Sequence, residues 1–401
     1  MMRRRMGKEI REKVYVAEEE LAQWFHHLHE YPELGFEERK TSAFVAERLK
    51  SFPGVNVKRL TPTGVLGILD TGRKGRCVAF RADMDALPIE ENDTHRVCSK
   101  HRGVMHACGH DGHTASLLMA AKILSEMREK LRGEIRFLFQ PSEEIQPGGA
   151  KGMVEQGALE GVEYIFGLHY SIDEYPGQFS VHAGANFASN DKFDITIEGK
   201  EGHAAFPYLV NDTVLAAVRM AEALNTLVPR CVDPASSAVL SVTKIHGGNT
   251  YNSLPDKVMI GGTIRTLDIE SREVLKERIS DSAEGLEKAT GCRVNVKIEE
   301  GCTLLSNEQE LAGKIKRILK DAFGEENVFE HPPVMGCEDF SEYLKTTKGI
   351  YFRAGARTVE EDGTVFPTHN SGFRLNEKGL PYGVMAILEV ILAFIEMEAE
   401  K

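Results

Sequence analysis

Ten residues, Met-His-Ala-Cys-Gly-His-Asp-Gly-His-Thr at 105–114, constrain this chain more than any other stretch. They hold three of its 14 histidines, one of its seven cysteines and an aspartate, broken by two glycines. An apolar, helix-like run follows at 115–123. Imidazole and thiolate together suit borderline-soft divalent ions, so the stretch reads as a metal site built where a loop enters a helix. The plainer reading is a polar, histidine-rich loop with one buried cysteine.

A chain of 401 residues exceeds what one hydrophobic core serves, and two domains are expected. The net charge of −12, from 49 basic and 61 acidic residues, argues against sequence-independent nucleic-acid binding. The basic start, Met-Met-Arg-Arg-Arg, lacks an apolar core and does not read as a secretory signal. The cysteines are odd in number and scattered, which suits a reducing cytoplasm. No apolar run is expected to reach the ~18 residues that span a membrane.

Along the chain, Val16, Leu21, Trp24, Phe25 and Leu28 predict a helix over 16–29, and a second is expected at 37–50. Short β-like runs lie at 65–69, 77–81, 135–139 and 164–168. The second leads into Asp83 and Asp85, the third into Glu143-Glu144, and the fourth ends on His169. Helical runs at 114–130 and 149–156 separate the later strands. This order predicts a mostly parallel sheet, whose ligands gather at the carboxyl ends of its strands. From about 191 the pattern becomes strand, helix, two strands, helix, strand, with strands at 193–197, 238–245, 257–267 and 293–299 and helices at 213–227 and 273–289. That β-α-β-β-α-β order is the ferredoxin-like unit. After Cys302 the α/β character returns, with a helix at 308–323, a strand at 350–353 and a final helix at 380–398. The expected division is therefore 1–190 with 301–401, and an inserted domain at 191–300.

The candidate ligands are Cys108, His110, Glu144, His169 and His369. A single catalytic zinc takes about three protein ligands. Two metals sharing Cys108 as a bridging thiolate would use all five. Two adjacent carboxylates repel unless a cation is near or one is protonated. One can ligate while the other, Glu143, accepts a proton from water as general base and later returns it. Asp85 is placed to orient a ligand histidine. Asp83 fits a turn or helix-cap role equally well, and His106, Asp111 and His113 count as support or surface. On sequence physics alone His203, Asn252 and Arg265 are an ordinary surface histidine opening a helix region, a turn residue and a strand residue.

The motifs Arg-Ala-Asp-Met-Asp-Ala-Leu-Pro at 81–88, the stretch 105–114, Phe-Gln-Pro-Ser-Glu-Glu at 139–144, Gly-Leu-His at 167–169, Gly-His-Ala-Ala at 202–205, Met-Gly-Cys-Glu-Asp-Phe-Ser at 335–341 and His-Asn at 369–370 resemble the M20 metallopeptidases. The match runs over nearly the whole chain. It is closest in kind to the amidohydrolase branch with hippurate hydrolases, indole-acetyl-amino-acid hydrolases and N-acetyl-amino-acid deacetylases. The resemblance implies a zinc-peptidase-like α/β catalytic domain with an inserted lid, which also pairs subunits into a homodimer or homotetramer. It implies two divalent ions per subunit, Zn or Mn first and Co or Ni next, on the five ligands above, with Cys108 where many relatives have a bridging Asp. Glu143 matches the general base. His203, Asn252 and Arg265 match residues that bind the substrate carboxylate or polarise the scissile carbonyl, and such a histidine can act on the partner's site. Two departures stand out: Tyr208 replaces the usual histidine after Gly-His-Ala-Ala-x-Pro, and Asp83 stands where the wider family has a metal-binding histidine. The implied reaction is hydrolysis of an N-acyl amino acid in the cytoplasm. The alternatives are a carboxypeptidase or dipeptidase acting on short peptides, and a metal-dependent binding protein without activity.

Overall fold

The computed structural model describes residues 2–92 and 96–395. The chain opens with helices α1 (Met2–Val16), α2 (Glu18–Glu30) and α3 (Arg39–Ser51). α2 buries Leu21, Trp24, Phe25 and Leu28, one stripe at helical period, and its first turn carries Glu18, Glu19 and Glu20 where the helix dipole favours negative charge. The strands β1 (Val55–Arg59), β2 (Val65–Asp70), β3 (Cys77–Asp83), β4 (Glu134–Gln140) and β5 (Tyr164–Ser171) follow. With Lys348–Gly355, Phe179–Ser180 and Val328–Phe329 they form one eight-stranded sheet, in the order β1-β2-β4-β3-β5 and then those three. β3 is parallel to β4 and β5, and β5 to Lys348–Gly355. β1, β2 and β4 pair antiparallel. The sheet is mixed and mostly parallel, with the parallel strands at its centre, as the strand–helix–strand order predicted.

Helix α4 (His110–Glu126) lies against β3, α2 and α3. Every residue of it except Lys122 and Glu126 is buried, so an all-round apolar sequence is what its position requires. It starts at His110, inside the 105–114 stretch and four residues before the expected start. Two glycines make that start fit. Gly109 is left-handed at φ 88°, and a Cβ at Gly112 would stand 2.6 Å from Leu375 Cδ1 and 3.1 Å from Tyr170 Cδ2. β1 was not anticipated.

One sequence expectation needs correction. Among the described residues the helical segment Glu377–Ile395 is long and apolar enough to cross a membrane, at mean hydropathy 1.7. It is 83% buried inside the fold, so its apolarity serves the core under the sheet.

The chain divides into two compact units, Met1–Gly184 with Asn307–Pro332 and Asp339–Lys401, and Ala185–Ser306 with Pro333–Glu338. The second unit holds a four-stranded antiparallel sheet in the order Ala238–Gly247, Lys257–Thr266, Asp191–Glu198, Arg293–Glu300. Helices Thr213–Cys231 and Ile269–Thr290 complete the β-α-β-β-α-β order. Phe193, Ile195 and Ile197 alternate into its core while their neighbours face outward. Both helices start on a capping aspartate: Asp212 accepts from Leu215 N and Asp268 from Ser271 N. The margins 185–190 and 301–306 and the segment Pro333–Glu338, which sequence alone leaves with the first unit, group with the second. Val334 N donates to Asn186 O at 3.0 Å and Ala188 N to Gly336 O at 2.8 Å.

Candidate metal centre

In a parallel sheet the strand ends share an edge. Asp83, the last residue of β3, pairs with Gln140, the last of β4. Arg81 pairs with Gly167, so two residues on, Asp83 is level with His169 of β5. His169 lies within β5 rather than at its end, since the strand runs on to Ser171. The Glu143-Glu144 loop leaves from β4, and the first turn of α4 returns to the same edge.

The structure brings the five candidate ligands of the first unit into one cluster. Donor atoms of Cys108, His110 and His169 lie within 4.8 Å of one another, and so do those of Cys108, Glu144 and His369. Cys108 belongs to both triplets. A third group joins His110 with Glu143 and Glu144. Cys108 Sγ is 3.5 Å from His169 Nε2, and His369 Nε2 is 3.0 Å from Glu144 Oε1. His369 takes the left-handed conformation, at φ 62°, and its backbone N donates to Ala107 O at 2.7 Å, which ties the late loop to the 105–114 stretch.

The ring orientations follow from the other nitrogen of each imidazole. His110 Nδ1 donates to Asp85 O at 2.9 Å and lies 3.2 Å from Asp85 Oδ1, leaving Nε2 directed at the cluster. His169 Nδ1 donates to Tyr170 O at 2.6 Å, again leaving Nε2 for the cluster. His113 is different: Nδ1 meets Asp83 Oδ1 at 2.6 Å and Nε2 accepts from Tyr170 N at 2.9 Å, so both its nitrogens are used. Asp85 is the organiser of the acidic loop. Its Oδ1 accepts from Glu143 N and its Oδ2 from Glu144 N, each at 3.0 Å. Ser142 is left-handed at φ 47°, and its N donates to Glu38 Oε1 at 2.7 Å.

The electrostatics fit a cation. Burial alone would raise Asp83, but Arg81, His110 and His113 hold its carboxyl well below the usual range. Burial also works against Asp85, and hydrogen bonds from His110 and the two loop amides keep it low. Burial and the neighbouring His113 push His169 well below its ordinary value, so its ring is neutral as a ligand requires. Burial and the Glu144 charge push the Cys108 thiol up. Hydrogen bonds with Cys108 and Glu144 raise His369 to about 10. Glu144 Oε1 is buried, with His369 Nε2 3.0 Å from it. A buried carboxylate oxygen beside a thiol and three imidazoles is a donor set that suits a divalent cation.

A sequence profile of Peptidase family M20/M25/M40 matches residues 79–393. The chain belongs to this family. The M20-family chain is 40% identical over 365 residues to Thermostable carboxypeptidase 1 of Saccharolobus solfataricus, covering 90% of this chain and 91% of that one. It is 41% identical to the N-acetyl-L-cysteine deacetylase of Bacillus subtilis, over 81% of this chain and 77% of that one. Among solved structures it resembles a dinuclear metal binding peptidase of Bacillus subtilis, with a TM-score of 0.82, 30% identity, and 95% and 99% of the two chains covered. This M20-family protein is a metal-dependent amidohydrolase.

The remaining predicted residues belong to the second unit. His203 does not open a helix. It pairs with Ser253 in a two-residue ladder, Ala204 N donates to Asn252 O at 2.9 Å, and the helix starts only at Thr213. Arg265 Nη1 donates to Met335 O at 3.0 Å. His106, Asp111 and His113 are buried, so none of them is surface. Sequence reasoning missed His29, whose Nδ1 meets Asp111 Oδ2 at 2.7 Å and whose Nε2 meets Glu91 Oε1 at 3.0 Å. It also missed Glu38 beneath Ser142. These partners are far apart in the chain, and no local pattern marks them.

Proposed function

We propose that this enzyme hydrolyses the amide bond of N-acyl amino acids to a carboxylate and a free amino acid. In this reading Cys108, His110, Glu144, His169 and His369 hold two divalent ions, and Glu143 moves the proton. One observation carries it. Cys108 is common to two of the donor triplets, as a bridging thiolate would be, while Glu143 meets the cluster in a third triplet, with His110 and Glu144 but without Cys108. Thiolate and imidazole favour Zn, with Mn next and Co or Ni as the remaining candidates. When bound, the ions would acidify a water and polarise the acyl carbonyl.

The residues of the chain do the rest. Glu143 takes a proton from the attacking water and delivers it to the nitrogen of the leaving amine, so one water is consumed and no net charge is left on the base. Asp85 holds the backbone of Glu143 and Glu144 and keeps His110 turned. His203 is assigned to the developing oxyanion, and Asn252 and Arg265 to the substrate carboxylate, with Arg suited to a bidentate contact. The domain at 191–300 is assigned the lid and the subunit contact of a cytoplasmic homodimer or homotetramer. The deacetylase relative acts on an N-acyl amino acid by its name, which supports this substrate class.

A second reading, a carboxypeptidase or dipeptidase, is favoured by the 40% identity to a thermostable carboxypeptidase. A panel of N-acetyl and N-benzoyl amino acids against dipeptides separates the two. In Glu143→Gln the rate should fall by about 10²–10⁴-fold with metal content unchanged. Wild-type turnover rates retained in that variant would remove Glu143 from the mechanism.

A further inference from the structure

Cys302 and Cys337 lie outside the metal centre, within the second unit, and take no part in the steps above. One strip of chain holds both. Asn190 N donates to Cys302 O at 3.0 Å, and Ala188 N donates to Gly336 O at 2.8 Å. Residues 186–190 thus back both cysteine segments, and the Cys302 and Cys337 side chains share a hydrogen bond. Asn190 Nδ2 donates to Cys337 Sγ at 3.6 Å. The Arg265 guanidinium is a further donor to the same sulfur, anchored by its bond to Met335 O. The two thiols are unequal: Cys302 is 3% exposed, whereas Cys337 is half-buried beside the exposed Gly336.

We propose that Cys337 and Cys302 form a thiol–disulfide couple, a modification site in which Cys337 attacks a low-molecular-weight disulfide and Cys302 resolves the product. In the first step the Cys337 thiolate bonds to one sulfur of RSSR and expels RS⁻. In the second, Cys302 gives up its proton and bonds to Cys337 Sγ, expelling the second RS⁻. The protein loses two electrons and the small disulfide gains them. The sum is one thiolate, one thiol and RSSR giving the internal disulfide, RSH and RS⁻.

The environment matches this order of roles. The hydrogen bond from Cys302 and the charge of Arg265 outweigh burial and hold Cys337 down at about 6, so it is the thiolate at neutral pH. Bond formation needs the sulfurs to close to about 2.05 Å. The short Pro333–Glu338 segment carries one of them.

The couple is read by mass and does not depend on the proposed amide hydrolysis. The metal-loaded full chain is treated with hydroxyethyl disulfide, its free thiols are alkylated with iodoacetamide, and its peptides are mapped. The wild type should yield a linked Cys302–Cys337 peptide. Cys302→Ser should stop at a mixed disulfide on Cys337, and Cys337→Ser should leave Cys302 unreacted. Alkylation of Cys337 at pH 6 should outpace that of a cysteine in an unstructured peptide by about 20-fold, the gain in thiolate fraction less the loss of nucleophilicity. A mixed disulfide that persists in the wild type, or Cys337 reacting no faster than the peptide, would overturn the proposal.

Discussion

Replacing Asp85 by Asn tests how the acidic loop is held. The side chains have the same shape, so packing around this buried residue is kept. Its Oδ1 serves Glu143 N and His110 Nδ1, and its Oδ2 serves Glu144 N. In the amide one oxygen becomes an NH₂ group. If the remaining oxygen keeps the first pair, an N–H then faces the Glu144 N–H, donor against donor. Leaving a buried backbone donor without its acceptor costs about 1–3 kcal/mol. His110 keeps its orientation, because Nδ1 also donates to the Asp85 backbone carbonyl at 2.9 Å. The damage therefore falls on Glu144 as a ligand and on the aim of Glu143. Metal affinity, measured by competition with a chromophoric chelator, should weaken by about 10–100-fold. With metal saturating, kcat should still fall while KM changes little, because the base is displaced and the substrate residues are not. Unchanged metal affinity and unchanged kcat in a correctly folded variant would refute the reasoning.

Three further outcomes follow from the same geometry. Gly112→Ala should destabilise the fold by about 1–3 kcal/mol, read as a lower Tm, because its Cβ would meet Leu375 at 2.6 Å. His29 is a pH handle: burial opposes its charge, but Asp111 and Glu91 lift it from 6.5 to about 10. Its folded value is raised, so its contribution is complete below pH 6.5 and fades as pH rises through 10. The loss has a ceiling of about 5 kcal/mol, and His29→Gln should flatten that part of the stability profile in denaturant titrations. Removing metal with a chelator should abolish amide hydrolysis and lower Tm, and adding Zn or Mn should restore both; activity that survives complete metal removal would contradict the metal assignment.

Much of the architecture was legible because it is local. The alternation at 193–197 and the periodic helices of the inserted region need only neighbours in sequence, and the structure returns the same order of elements. The five candidate ligands were legible for another reason. Each lies in a short motif whose residue types have few other uses together, and the strand-end positions placed two of them, Glu144 and His169, on one sheet edge. What sequence could not give was whatever depends on distant partners. His29 with Asp111, and Glu38 with Ser142, are joined only by the fold. The start of α4 was misjudged because glycine propensity argued for a loop, whereas close packing of Leu375 and Tyr170 on Gly112 rewards a helix there.

The stretch 105–114 shows the division most clearly. Its composition by itself determined that the chain carries potential metal donors where a loop meets a helix, since thiolate and imidazole chemistry belongs to the residues wherever they sit. Which donors face the cluster was decided only by the tertiary structure. His110 and His113 are three residues apart in the same first turn. His110 keeps Nε2 for the cluster because Asp85 takes its Nδ1 proton, whereas Asp83 and the Tyr170 amide occupy both nitrogens of His113. A ring nitrogen can ligate only if no other group has claimed it, and those claims come from strand β3, from Asp85 just beyond it and from strand β5, which the helix meets only once the chain has folded.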